Sequence, residues 1–522
     1  MVGTATSPAK ALYPQGKPTL HVECCTKQPE SLPPTLADRV ERWLRNQYAT
    51  VKLKQTFPCL DGFLDPPGIH FITVADLTSS TDVESNTCIR LPHVDITVDV
   101  FELHGDEEQI EPSEATLTRI AQNANDDIQG PQATITSLPN RNFHGLWDSL
   151  IFEDFIQSRL LKFIIRMMSF SARQRRQPLP CWSRAVLLYG PPGAGKTSLC
   201  RALAQQLSIR LRNTFPHCKL VEFDAHSMFS QDFGESGKVI NKLFAMIESM
   251  LDEDENALIC VFIDEIESLA GKRQYPGSSN EPQDSLRAVN ALLIALDRLR
   301  CRPNVLLFCT SNLIEAVDPA FIDRIDMKQQ ISNPGPRARY EILRSCYLEL
   351  GQCGIIAPIR QPLEAATLEQ PSQGMLLDGD EDELASGWAS LIPSSSSSSS
   401  PDRYYTPLSS PPPPHHSTKA PKSQIDFHVV DDRDLPPHHL MMLHFPADEE
   451  SLPRTLWKVA AKSTNFSGRT LRRLPVMSLA MYTTQDPCPI DEALNALSEA
   501  VDNESLREQK DSTGETKMLD CC

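Results

Sequence analysis

Eight consecutive residues, Gly190, Pro191, Pro192, Gly193, Ala194, Gly195, Lys196 and Thr197, have the spacing G-x-x-x-x-G-K-[ST]. Glycines at those places let the backbone curl so that successive N–H groups converge on phosphate oxygens. Lys196 is expected to reach the β- and γ-phosphates of ATP, and Thr197 to ligate Mg²⁺. Ser198 follows in a helical pattern, whose N-terminus adds partial positive charge toward the phosphates. The competing reading is a chance glycine turn, and the lysine, the threonine and the strand–loop–helix context disfavour it. A second constellation lies 68 residues beyond Lys196, where the apolar run Leu258–Ile263 ends in Asp264-Glu265. Asp264 is suited to the Mg²⁺ shell and Glu265 to polarising an attacking water. A solvated Asp-Glu at a strand end is the bland alternative, and the loop upstream weighs against it.

These residues need a scaffold, and the surrounding pattern supplies one. Residues 185–189, 219–224, 257–263 and 304–310 are short apolar runs bounded by turn signals. Helical patterns separate them, such as Ile240, Leu243, Phe244, Ile247 and Leu251 on one face. That alternation predicts an α/β fold with a parallel sheet covered on both faces. Ligands bind at the C-terminal edge of such sheets, where both constellations fall. Upstream, Leu36, Val40, Trp43, Leu44 and Tyr48 share a helix face, and two strand-like runs follow at 70–74 and 94–100. The organisation read from these patterns is a flexible arm over 1–30, an α+β domain over 31–104 and an acidic linker over 105–140. The large ATPase domain is expected over 141–334 and a helical lid over 335–354 and 451–508, with a tail at 509–522. The lid is split by a Ser/Pro-rich insertion at 355–450, expected to be disordered because it cannot bury enough apolar surface.

Composition narrows the function classes. The net charge is −18, and residues 1–140 carry 10 basic against 19 acidic side chains. This argues against direct, sequence-specific nucleic-acid binding, which needs a cationic face. The acidic first quarter is either a solvated surface or an adaptor surface for a basic partner. No apolar run approaches the length of a membrane span, and the first residues lack the apolar core of a secretory signal. The 15 cysteines are scattered without a C-x-x-C pair, so a reducing setting without disulfides or zinc is expected.

With these motifs in order, the chain resembles the AAA+ ATPases. The end of the fourth run, Cys309-Thr310-Ser311-Asn312, is similar to their sensor 1, with Asn312 orienting the lytic water or reading the γ-phosphate. Asp318–Asp326 is similar to the segment carrying arginine fingers, which makes Arg324 the candidate finger acting on a neighbouring subunit. Ser467-Gly468-Arg469 resembles sensor 2, with Arg469 contacting the γ-phosphate in its own chain. The segments Phe143–Leu150, Thr197–Arg210 and Asn465–Pro475 narrow the resemblance to the pachytene checkpoint protein 2 family. The resemblance adds Gly145 to the nucleotide-binding set. It also places a substrate-gripping pore loop at Ser230–Gly237, with Phe233 as the ring and Gly234 as the hinge. A simple helix-capping loop is the alternative there. What the resemblance implies is a homo-hexameric, Mg²⁺- and ATP-dependent remodeller of HORMA-domain proteins, working directly or through an adaptor. It implies meiotic chromosome axes and the spindle checkpoint as settings, and the nucleus, with cytoplasm, as location. The rivals are a microtubule-severing or membrane-complex AAA ATPase and a nucleotide-gated scaffold without useful turnover.

Overall fold

The chain begins its order earlier than the hydrophobic pattern suggests. The computed structural model describes residues 17–26, 35–58, 69–78, 88–105, 133–173, 183–225, 236–271, 281–357, 435–445 and 451–519. Phe233, Gly234, most of the expected insertion and the last residues of the tail lie outside the described residues.

The N-terminal elements are β1 (Thr19–Thr26), α1 (Leu36–Gln47), β2 (Thr50–Lys52), β3 (Thr56–Pro58), β4 (Ile69–Thr78), β5 (Cys88–Arg90) and β6 (Asp95–Glu102). Four of the strands form a sheet in the order β3-β4-β1-β6, with β1 antiparallel to β4 and parallel to β6. This corrects the boundary drawn at residue 30, because β1 is an inner strand of the domain and not part of an arm. Its alternation explains both its place and its faint signal. Leu20, Val22 and Cys24 enter the domain core with Val40 and Leu44 of α1. Glu23 and Cys25 lie on the opposite face, also buried, and meet a neighbouring domain described below. Trp43 of α1 closes the core edge-on to Phe57, with ring centroids 5.4 Å apart.

The ATPase domain opens with β7 (Thr134–Leu138), so the expected linker ends in a strand. There follow α2 (Ile156–Arg173), β8 (Ala185–Tyr189), α3 (Lys196–Arg210), β9 (His217–Asp224), α4 (Ser236–Glu253), β10 (Ala257–Asp264), α5 (Glu281–Leu299), β11 (Val305–Ser311) and β12 (Met327–Gln330). The sheet order is β12-β8-β11-β10-β9-β7. The first five strands are mutually parallel, and β7 caps the far edge antiparallel to β9. The near-continuous apolar runs follow from burial on both faces. In β10, Leu258, Cys260 and Phe262 pack toward α2 and α3, while Ile259, Val261 and Ile263 pack toward α4 and α5. The predicted α/β sheet is therefore present, enlarged by β12 and by one antiparallel edge.

The lid comprises α6 (Pro336–Gln352), α7 (His438–His444), α8 (Leu452–Lys462), α9 (Gly468–Tyr482) and α10 (Ile490–Leu519). Tyr340, Tyr347, Leu456, Phe466, Leu471 and Leu497 are core residues. The insertion is narrower than 355–450. Ile356 bridges to Cys488, and Leu435, Met441 and Phe445 join the lid core. The Tyr340 hydroxyl donates to the Pro436 carbonyl at 2.8 Å, so the chain re-enters the lid before residue 440. None of the helices among the described residues is long and apolar enough to cross a membrane.

Candidate functional site

The loop between β8 and α3 bends as the glycine spacing requires. Gly190, Gly193 and Gly195 all have positive φ, at 146°, 74° and 96°. A Cβ on Gly193 would also stand 2.7 Å from the Ser467 hydroxyl, so glycine is needed for conformation and for space. That close approach joins the loop to the lid. The Arg469 N–H donates to the Gly193 carbonyl at 3.1 Å, where α9 begins.

Between loop and lid lies a cleft of about 630 Å³. Pro192 through Ser198, Asp264, Glu265, Asn312 and Arg469 all line it. The sheet brings the residues from Pro192 to Asn312 together because β8, β11 and β10 are neighbours and end at the same edge, and α9 of the lid adds Arg469. Gly190 and Pro191 take part through their carbonyls, which accept from Lys196 Nζ at 2.8 and 2.9 Å. Gly145 is not among the lining residues. It adopts φ 73° as the N-cap of the short helix Leu146–Ser149, whose last residue Ser149 does line the cleft.

Lys196 also donates to Asn312 Oδ1 at 2.7 Å, and Asn312 Nδ2 stands 3.4 Å from Glu265 Oε1. Asn312 thus bridges Lys196 and Glu265. Burial lowers the pKa of Lys196, opposed by the nearby Glu267, Asp264 and Glu265 carboxylates. The Thr197 hydroxyl donates to Asp264 Oδ2 at 3.0 Å. A hydroxyl and a carboxylate at that separation suit a hard cation such as Mg²⁺, which takes one or two protein oxygens and completes its shell with phosphate and water. Glu265 sits in the left-handed region, φ 53° and ψ 52°, a conformation disfavoured for a side chain of its kind and recurrent at active sites.

Arg324 does not reach this cleft. It lies on Asp297 of α5, its Nε and Nη2 donating to the two carboxylate oxygens at 3.0 and 2.9 Å. The hydrogen bonds raise the pKa of Arg324 and lower that of Asp297.

The structure adds residues that motif spacing did not single out. Glu267 accepts from the Asn312 N–H at 2.8 Å, fixing the sensor loop, and is foreshadowed only by being a third acid after Asp264-Glu265. Arg472 lines the cleft from α9 and donates to the Ser149 carbonyl, clasping lid to large domain. At the far end of α3, Arg210 is buried against the N-terminal sheet. Its Nη2 donates to Asp76 at 2.7 Å and stands 3.5 Å from Glu23, and its Nη1 is 3.4 Å from Asp99. Ile209 packs there with Cys25 and Phe101. On the same helix, Gln205 exchanges two hydrogen bonds with the backbone of Asn140, at 2.9 and 3.0 Å.

Comparison with known proteins follows the same division into parts. Residues 186–333 match the ATPase family associated with various cellular activities (AAA). Residues 15–106 match the TRIP13 N-terminal domain, and residues 437–505 the TRIP13-like AAA+ ATPase lid C-terminal domain. The chain is similar to the human pachytene checkpoint protein 2 homolog, 36% identical over 352 residues that cover 67% of this chain and 78% of that one. The Arabidopsis thaliana homolog is 47% identical over 253 residues, 48% of this chain and 54% of that one, so the matched part spans about half of the plant protein. The structure of C. elegans PCH-2 shares the fold, with a TM-score of 0.58 at 22% identity over 93% of this chain and 99% of that one. The chain belongs to the pachytene checkpoint protein 2 family of AAA ATPases.

Proposed function

We propose that this ATPase remodels HORMA-domain proteins, using ATP turnover to shift them from a closed, partner-bound state to an open one. The observation that carries the reading is one compact unit in which the ATPase cleft and a TRIP13-type N-terminal domain share a helix, α3. Substrate or adaptor held by the N-terminal domain would then sense events at the phosphate loop. Mg²⁺·ATP supplies a phosphoanhydride polarised for attack by water. Lys196 and the loop N–H groups bind the phosphates, Thr197 and Asp264 hold the cation, and Asn312 orients Glu265. Glu265 takes the proton of the water. Arg469 would reach the γ-phosphate from the lid, and Arg324 that of the next subunit, which implies a ring. The reading includes a homo-hexamer, gripping by Phe233 and Gly234, and action on meiotic chromosome axes and in the spindle checkpoint, in nucleus and cytoplasm.

Glu265→Gln tests the chemistry and the partner together. It should bind ATP with near wild-type affinity, lose turnover by at least about 100-fold, and retain a HORMA protein in a pull-down. Turnover near the wild-type rate would remove Glu265 from the catalytic role. A trap that hydrolyses nothing and retains no HORMA protein, with adaptor present, would overturn the substrate assignment.

A further inference from the structure

Thr310 stands on β11 directly beside the end of β10, the two strands being parallel with Ile263 opposite Cys309. Its side chain is buried, with the residue 1% exposed. A hydroxyl offers one donor and two acceptor sites, and this one uses both kinds. Oγ1 accepts from the Glu265 N–H at 3.1 Å and donates to Asp264 Oδ1. The other oxygen of Asp264 is held by Thr197. One hydroxyl therefore touches the carboxylate suited to the cation and the backbone of the residue suited to activating water.

Both contacts matter because both groups are held in particular geometries. Asp264 can rotate about its terminal torsion, and the Thr197 and Thr310 hydroxyls both bond to its carboxylate and limit that rotation. Glu265 occupies left-handed φ, ψ, which its surroundings must enforce. The N–H that Thr310 accepts belongs to that same residue. Thr310 itself is not among the residues lining the cleft.

We propose that Thr310 is a positioning residue for ATP hydrolysis, its single hydroxyl setting the Asp264 carboxylate and the Glu265 backbone together. The proposal rests on the roles given above to Asp264 and Glu265. Thr310 does not line the cleft, so its loss should act on turnover and on cation use and spare ATP capture. Thr310→Val keeps the shape and removes the hydroxyl, while Thr310→Ser keeps the hydroxyl.

The test is steady-state turnover on the full chain, with ATP and Mg²⁺ varied separately, for wild type, Thr310→Val, Thr310→Ser and Glu265→Gln. Thr310→Val should lower kcat by roughly 10- to 100-fold, the scale of a misplacement of about 1 Å. Its KM for ATP should stay within about threefold, and the Mg²⁺ concentration for half-maximal rate should rise. Thr310→Ser should restore both kcat and the Mg²⁺ response. Wild-type kcat in Thr310→Val, or equal damage in Thr310→Ser, would overturn the proposal. If Thr310→Val does not fold, Thr310→Ala carries the same expectations and the same overturning result. Wild-type turnover in Glu265→Gln would instead strike the catalytic assignment on which the proposal stands.

Discussion

Helix α3 has a buried cation at each end, and the two are treated in opposite ways. At its start, Lys196 bonds to two carbonyls and an amide oxygen, and no carboxylate lies among its hydrogen-bond partners. Burial is the largest influence on it, and its pKa is lowered. At its end, the Arg210 side chain is 4% exposed, and Asp76, Glu23 and Asp99 surround it. Burial alone would pull its pKa down, and the three carboxylates outweigh that pull and raise it. A charge with incomplete compensation invites a ligand of opposite charge. A fully compensated one resists change and joins two bodies. Guanidinium suits the second task because its donors can serve several carboxylates at once.

The largest effect should come from removing the under-compensated cation. Lys196→Ala takes away the charge and donors that face the phosphates and should weaken ATP binding by at least about 100-fold. Titration with a fluorescent ATP analogue reads this, and affinity within threefold of wild type would mean that the loop N–H groups suffice. Folding should be little changed, because none of the hydrogen bonds of Lys196 is to a carboxylate.

The next effect is the converse. Arg210→Met leaves Glu23, Asp76 and Asp99 buried or half-buried without their cation, a kind of change that costs about 3–5 kcal/mol. The loss should appear at the junction, as faster hydrogen exchange in β1 and β6, while ATP affinity stays within about threefold. Adding Asp76→Asn and Asp99→Asn should recover part of the loss. Unchanged exchange in Arg210→Met would show that Ile209, Cys25, Phe101 and the Gln205–Asn140 pair hold the domains unaided.

The smallest effect sharpens the comparison through pH. Glu23 is the least well served of the three carboxylates, since its Oε1 is 3.5 Å from Arg210 and buried without a hydrogen-bond partner. Desolvation raises its pKa from 4.5 to about 7 against the pull of Arg210. Its folded pKa lies above its unfolded one, so the native state binds the extra proton between those values. The stabilisation from Glu23 is thus complete below about 4.5 and lost as pH rises through about 7. The change is at most about 3 kcal/mol. Denaturant unfolding at pH 5 and pH 8 should show wild type losing more stability than Glu23→Gln over that interval. Equal losses would remove Glu23 as the titrating group.

The phosphate loop and Asp264-Glu265 were legible in the sequence because each is a short motif whose chemistry fixes residue type and spacing, whereas Asn312 and Arg469 came only through likeness to the AAA+ sensors. The parallel sheet was legible because strands buried on both faces must be apolar throughout. β1 was not, because its outward residues Glu23 and Cys25 are buried by a helix that begins more than 170 residues later, and no local pattern announces that contact. The return of the chain into the lid at Leu435 was hidden in the same way, beside a polar stretch that masked a few apolar residues. Residues that act through neighbours on the chain could therefore be picked out from the sequence alone. Whether Arg210 is a surface charge or a buried joint, and whether Thr310 is a strand residue or the hydroxyl between two carboxyl-bearing residues, was decided by strand order and helix packing. Those bring together groups 45 to 187 positions apart, and the energy of a buried charge or hydroxyl depends on what surrounds it and not on its place in the chain.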